Sequence, residues 1–354
     1  YARENPYMDY LHVWLADTHN NLCECEDCCK TTLSDQYVEL LNEIDRRLTQ
    51  EGLKTRIVFL LYQELLWPPE VSRLENPDRF VLMFAPISRT FEKSYELDGA
   101  QTALPEFHRN QVTLPVNLGE NMAFLRAWQK IFTGSGFVYD YPLGRAHYGD
   151  FGYVHIARVL NADIRKLDEM GLDGYISCQE LRAAFPNALP NYVMGHTLFQ
   201  KNCPVEELIR EYYRACYDAD AKAVLDYLSR LSELSGCDYV NGKSARCDAD
   251  IAARMEEAVR CCEAFAETVR RHQGEDGAWE SIYWEVLEYH RNYVILFART
   301  LKALAEGDQA QADQKWEILR EYICKNEEKY QPYLDVYRVL EVTQNYTGLH
   351  RQKS

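Results

Sequence analysis

The chain has 354 residues, 47 % apolar and 27 % charged, which excludes disorder as the main state and leaves room for about two domains. Asp and Glu number 55 against 39 Lys and Arg, and the resulting formal charge of −16 argues against general nucleic-acid binding, which relies on Lys and Arg at phosphates. No apolar run approaches the roughly 20 residues of a membrane helix, so a membrane partner is not expected.

Five runs, 10–16, 56–62, 80–86, 136–141 and 174–178, are short, apolar and rich in β-branched and aromatic residues, and they read as strands. Helical periodicity lies between most of them. The segment 34–51 has Ser34 as its expected N-cap, one face of Tyr37, Leu40, Leu41, Ile44 and Leu48, and Gly52 as its stop; 118–132 and 151–170 repeat the pattern, the latter closed by Gly171. Strands alternating with helices predict parallel pairing through right-handed crossovers, and the nearly unbroken apolar character of the strands predicts burial on both faces. The spacing is that of a (β/α)8 barrel, of which residues 1–204 would hold strands four to eight. A doubly wound sheet competes, but the chain has no glycine-rich phosphate turn. From residue 205 the pattern becomes helical, with helices expected at 205–217, 219–235, 248–273, 277–306 and 309–329, a bundle forming a second domain over 205–354. The stripe of Trp279, Tyr283, Val286, Leu287, His290 and Tyr293 reads as core packing between helices rather than as a ligand box.

Twelve cysteines fall in two groups. Eight are scattered through mostly helical segments, which suits a reducing, cytoplasmic compartment better than a disulfide scaffold. The start at Tyr1 rather than Met fits a fragment or a processed product. Cys23, Cys25, Cys28 and Cys29 crowd one loop, near enough to share an ion. That loop reads either as ligands for a structural Zn2+, which His19 could complete, or as a set of reduced thiols, because the second cysteine pair of a zinc knuckle is missing.

In α/β barrels the chemistry sits where strands end. Four strand ends here bring a carboxylate within a few residues: Asp17, Glu64, Asp140 and Glu180. Trp14, Tyr62, Trp67, Tyr139 and Tyr141 stand close to them in sequence, and Gln179 precedes Glu180. Carboxylates among flat aromatics suit glycoside chemistry, in which one carboxyl protonates the leaving oxygen, another acts as base or nucleophile, and aromatic rings stack on sugars. The four carboxylates are therefore expected to converge on one cleft. Asp17 is the first candidate and Glu180 the second; Glu64 is the weakest, because Leu65, Leu66 and the Pro pair after it could turn its loop outward. The competing reading is that Asp17, Asp140 and Glu180 merely cap backbone N–H groups. Arg89 and Arg145 could bind the carboxylate of a uronic acid or pair with Asp140 or Glu180, and His147 stands near the same mouth. No cofactor is required for such catalysis.

Three segments carry a resemblance: Val13-Trp14-Leu15-Ala16-Asp17 with the cysteine loop and Ser34-Asp35-Gln36-Tyr37, then Ala85-Pro86-Ile87-Ser88-Arg89, then Gly174-Tyr175-Ile176-Ser177-Cys178-Gln179-Glu180. Over about residues 5–200 they resemble the family called domain of unknown function 4838, and the cysteine stretch is the most specific part. The resemblance implies a glycoside-hydrolase barrel near the α-glucuronidases and hexosaminidases, in which the catalytic acid commonly follows the fourth barrel strand. Counting strands puts Asp17 at that place. The departure is the absence of the first three barrel strands. The leading expectation is a glycosidase with a carbohydrate substrate. A carbohydrate-binding protein without catalysis is the alternative, and a helical protein-interaction module at 205–354 a third.

Overall fold

The computed structural model describes residues 1–17, 21–97, 102–272 and 280–349. His19, the neighbouring Thr18 and Asn20, Trp279 of the aromatic stripe and the helix break expected at 274–277 lie outside the described residues.

Five strands form where the apolar runs predict them: β1 (Tyr10–Val13), β2 (Arg56–Leu61), β3 (Phe80–Phe84), β4 (Gly136–Leu143) and β5 (Gly174–Gln179). They make one sheet in sequence order, with β1–β2, β2–β3 and β3–β4 parallel, as their alternation with helices requires. β3 is buried throughout and β2 at every position but Arg56, as expected of strands covered on both faces. β1 and β5 depart from that expectation, for their residues are half-buried or exposed.

The sheet curls into a half-barrel. Tyr10 pairs with Arg56, and side chains alternate along a strand, so Tyr10, His12 and Trp14 share a face. On that face His12 lies 6.4 Å from Phe137, and Trp14 lies edge-on to Tyr139 at 6.2 Å. β1 and β4 are separated in the sheet by β2 and β3, so a flat sheet would hold these rings far apart. Contact between them requires a concave face, as in a barrel interior where side chains of alternate strands meet.

Helix α1 (Leu33–Gln50) starts earlier than Ser34 predicts. Thr32 is the true N-cap: its hydroxyl accepts from the Asp35 N–H at 3.1 Å while Asp35 Oδ2 accepts from the Thr32 N–H at 3.0 Å, a reciprocal pair that Ser34 cannot form from inside the first turn. α2 (Leu118–Gln129) has Asn117 as its cap. The helix expected over 151–170 is two, α3 (Val154–Arg165) and α4 (Leu167–Met170). Tyr153 has φ +62°, a left-handed conformation that no α-helix admits, and this delays the start. Gly171, at φ +72°, closes α4 as predicted.

Beyond these the chain is helical: α5 (Leu189–Phe199), α6 (Val205–Tyr217), α7 (Ala221–Leu234), α8 (Cys237–Val240), α9 (Ala249–Arg270), α10 (Glu280–Ala305), α11 (Gln309–Lys325), α12 (Glu327–Tyr330) and α13 (Val336–Thr347). The sequence pattern misses α5, whose Pro190 and Gly195 obscure it, and α13, which is rich in β-branched residues. The chain divides into two compact units. One holds residues 1–90, 95–140 and 166–177; the other holds 91–94, 141–165 and 178–354. In the second unit the stripe on α10 is core, as read: Val286, Leu287, His290 and Tyr293 are buried, and the neighbouring Tyr289 stacks on Tyr330 at 3.9 Å. No helix among the described residues is long and apolar enough to cross a membrane.

Candidate functional site

In the first unit the C-terminal end of β1 is set by a residue from α1. Tyr37 is 2 % exposed; its hydroxyl accepts from the Leu60 N–H at 3.1 Å and donates to the Val13 carbonyl, standing between β1 and β2 where the ladder would otherwise continue. This wedge ends strand pairing just before Trp14. Sequence periodicity counts Tyr37 as one more apolar residue on a helix face and misses its role.

Beyond the wedge lies a small aromatic and acidic surface. Trp14 is 47 % exposed and meets the half-buried Tyr139 edge-on. Asp17 is exposed, and the Tyr62 hydroxyl donates to its Oδ1 at 3.0 Å. Gln63, immediately after Tyr62, has φ +53°, a sparsely populated conformation that redirects the chain at the end of β2. Glu64 follows in a short turn and is 2 % exposed. Trp67 is buried too; its indole N–H donates to the Pro105 carbonyl at 2.7 Å and its ring packs against Phe124.

Arg89 and Asp140 find each other. Nε donates to Oδ1 at 3.0 Å and Nη2 to Oδ2 at 2.7 Å, both side chains being 1 % exposed, and the guanidinium lies 4.3 Å from the Tyr95 ring centroid. This is the pairing that the sequence left open for Arg89. A carboxylate held fork to fork in the interior supports structure first. The three acidic candidates of this unit thus occupy three environments: Asp17 exposed, Glu64 buried in a turn, Asp140 in an ion pair.

The cysteine loop belongs to the same unit. Its ends are held by Arg109, which donates to the carbonyls of Cys23 at 3.1 Å and of Cys28 and Thr31 at 2.7 Å, and by Asn110, whose side chain makes hydrogen bonds with both the N–H and the carbonyl of Leu22. Neither residue could be singled out from the sequence, because both stand some 80 positions away in a segment without periodicity. The ligand atoms of Cys23, Cys25 and Cys28 lie within 4.8 Å of one another; Cys29 is exposed and outside that group. Hydrogen bonds from the Cys28 backbone and the neighbouring thiols lower the Cys25 thiol to about 7, while the Cys25 and Cys23 side chains push Cys28 up to about 11.

In the second unit Glu180 follows β5 and anchors its backbone N–H to the Leu143 carbonyl at 2.9 Å. Arg338 Nε on α13 donates to both its oxygens, at 3.0 and 3.1 Å. Burial raises the Glu180 carboxyl above the usual range, and Arg338 pulls it back part of the way. Arg338 went unnoticed in the sequence because its helix did. Gln179 is exposed and Tyr141 half-buried. Arg145 lies 4.5 Å over the Tyr346 ring centroid and donates to its hydroxyl.

His147 is fully buried, its ring 4.1 Å from that of Tyr148 and its imidazole beside the Pro142 backbone. Burial pushes it down to about 3, and the same cause pushes His290 to about 3. Both are therefore neutral over the working range, which leaves no proton at His147 for acid catalysis near neutrality. A histidine held below its unfolded value of 6.5 costs stability as pH falls from 6.5 toward 3, because the unfolded chain binds the proton first. The expected slope is about 1.4 kcal/mol per pH unit for each histidine. Urea midpoints of the wild-type chain and of His147→Gln between pH 7 and 5 check this: the variant should lose less stability on acidification, and equal slopes would refute the assignment.

The fold and these strand ends define an α/β protein with a parallel half-barrel sheet and polar and aromatic groups displayed where its strands stop. The profile of the family described as "Domain of unknown function (DUF4838)" matches residues 1–229, and the chain belongs to that family. No curated protein and no solved structure matches it.

Proposed function

We propose that the chain is the strand-four-to-eight part of a (β/α)8-type glycoside hydrolase with a helical domain from residue 205, acting on a glycoside or uronide by carboxylate acid–base chemistry. The observation that carries this reading is the exposed Asp17, bonded by Tyr62, in the unit where Trp14, just past β1, meets Tyr139 of β4 edge-on. An indole edge-packed on Tyr139 and His12 yet 47 % exposed offers a platform for the apolar face of a sugar ring. A carboxylate steadied through one oxygen by a phenol hydroxyl can present the other to a sugar carbon or a water. Asp17 is the base or nucleophile of the proposal. Glu180, in the second unit, is the acid candidate by its own surroundings, since burial raises its carboxyl against the pull of Arg338. The half-exposed rings on the concave face of β1 support the barrel, for such rings are interior in a closed one.

A second reading has its own support. Asp140 and Glu180 are both gripped by arginines, an arrangement that a carbohydrate-binding protein without catalysis would also tolerate. Turnover of a panel of aryl glycosides and aryl uronides separates the two. Release of the aryl group from at least one is the expected result; saturable sugar binding without release would move the chain to the binding class.

A further inference from the structure

The cysteine loop supplies no residue to the proposed chemistry, and its construction points elsewhere. Three thiol sulfurs, those of Cys23, Cys25 and Cys28, stand within 4.8 Å of one another on one turn of chain. In a tetrahedral Zn2+ site with Zn–S near 2.3 Å the sulfurs are about 3.8 Å apart, so a shift of about 1 Å or less would bring each to bonding distance. The backbone that carries them is already fixed. Arg109 binds carbonyls at Cys23, Cys28 and Thr31, Asn110 pins Leu22, and the Cys29 N–H closes the turn onto the Cys25 carbonyl at 3.0 Å. The Cys25 N–H in turn donates to the Cys23 sulfur at 3.5 Å, which orients that sulfur on the turn. A guanidinium at the loop also offsets the negative charge that three thiolates would gather. A disordered run of cysteines needs none of this, and the eight remaining cysteines outside the loop have no comparable grouping among the described residues.

We propose that Cys23, Cys25 and Cys28 bind one Zn2+ through three thiolates, with the fourth tetrahedral position left to water or an incoming donor. Each thiol releases its proton to solvent as its sulfur–metal bond forms, so uptake is pH-dependent and acidifies a weakly buffered solution. Zinc, a d10 ion without redox chemistry, suits a site of this sulfur count, and it tolerates an incomplete protein ligand set. The bound ion would cross-link the turn from Cys23 to Cys28, close in sequence to Trp14 and Asp17.

The test uses the whole chain, reduced and handled without oxygen. After metal stripping and dialysis against Zn2+, elemental analysis is expected to find about one equivalent per chain. Co2+ added to the stripped wild-type chain should give the thiolate charge-transfer absorption and the strong visible bands of a tetrahedral site, a readout that needs no variant. Cys25→Ser and Cys28→Ser should lose at least about tenfold in Zn2+ affinity, while Cys29→Ser and Cys247→Ser retain it. Circular dichroism confirms that each variant is folded, and the wild-type cobalt spectrum decides if one is not. Less than about a tenth of an equivalent in the reduced wild-type chain, or cobalt spectra without thiolate bands, overturns the proposal. Equal zinc in a chain with all three cysteines replaced overturns it as well.

Discussion

Asp17→Asn and Glu180→Gln are each expected to lower turnover of a responsive aryl glycoside by at least about 10²-fold while leaving the fold intact. The two substitutions keep size and shape. The asparagine amide oxygen can still accept from the Tyr62 hydroxyl, and the glutamine amide oxygen can still accept from Arg338, so the contacts at 3.0 Å in each place need not collapse. On the proposed chemistry, what the first variant would lose is the negative charge that attacks carbon or draws the proton from water. On the same chemistry, what the second would lose is the group that protonates the leaving oxygen; burial raises the Glu180 carboxyl and Arg338 opposes that rise. The roles can be told apart by the leaving group. An acidic phenol departs without protonation, so Glu180→Gln should be most damaging on poor leaving groups, whereas Asp17→Asn should be equally damaging on all. Near wild-type turnover in both variants would place the catalytic pair elsewhere.

The largest loss of stability is expected at the Arg89–Asp140 pair. Both side chains are 1 % exposed and meet through two hydrogen bonds of 3.0 and 2.7 Å. Removing one partner strands the other charge away from water, which costs about 3–5 kcal/mol, whereas removing both replaces a desolvated pair by apolar packing. Arg89→Met and Asp140→Leu should each destabilise by that amount in denaturant titration. The double variant should recover more than half of the summed loss, and a single substitution costing under about 1 kcal/mol would show that the pair does not hold the sheet. Arg89 also lies on the Tyr95 ring, so part of the arginine loss is packing that the double variant will not restore.

Strand positions and parallel order were legible along the chain because they depend on local content. Runs such as Ile57–Leu61 and Phe80–Phe84 must be buried on both faces whatever surrounds them, and helices between strands leave only parallel pairing. The helices α6, α7, α9, α10 and α11 declared themselves for a similar reason, through apolar faces repeating at helical spacing. Residues whose meaning depends on one distant partner were illegible. Asp17 and Asp140 look alike in sequence, each an acid beside aromatics. Tyr62 meets one of them in the open, and Arg89 grips the other in the interior. Trp67 looks like a stacking residue until Pro105 and Phe124 enclose it. The cysteine run was visible at once, yet the clamp of Arg109 and Asn110 that shapes it comes from some 80 residues away.

The sequence by itself determined the α/β character, the five strands in order and the cysteine-rich loop, because burial pattern and residue spacing act over a few positions of chain. Only the tertiary structure decided which carboxylate stands open and which is tied to arginine. It also decided that β1 meets β4 across a concave face, and that Tyr37 ends the first strand pair where the candidate site begins. Such contacts join segments tens to hundreds of residues apart, and their energies depend on burial and distance, which composition and periodicity do not encode.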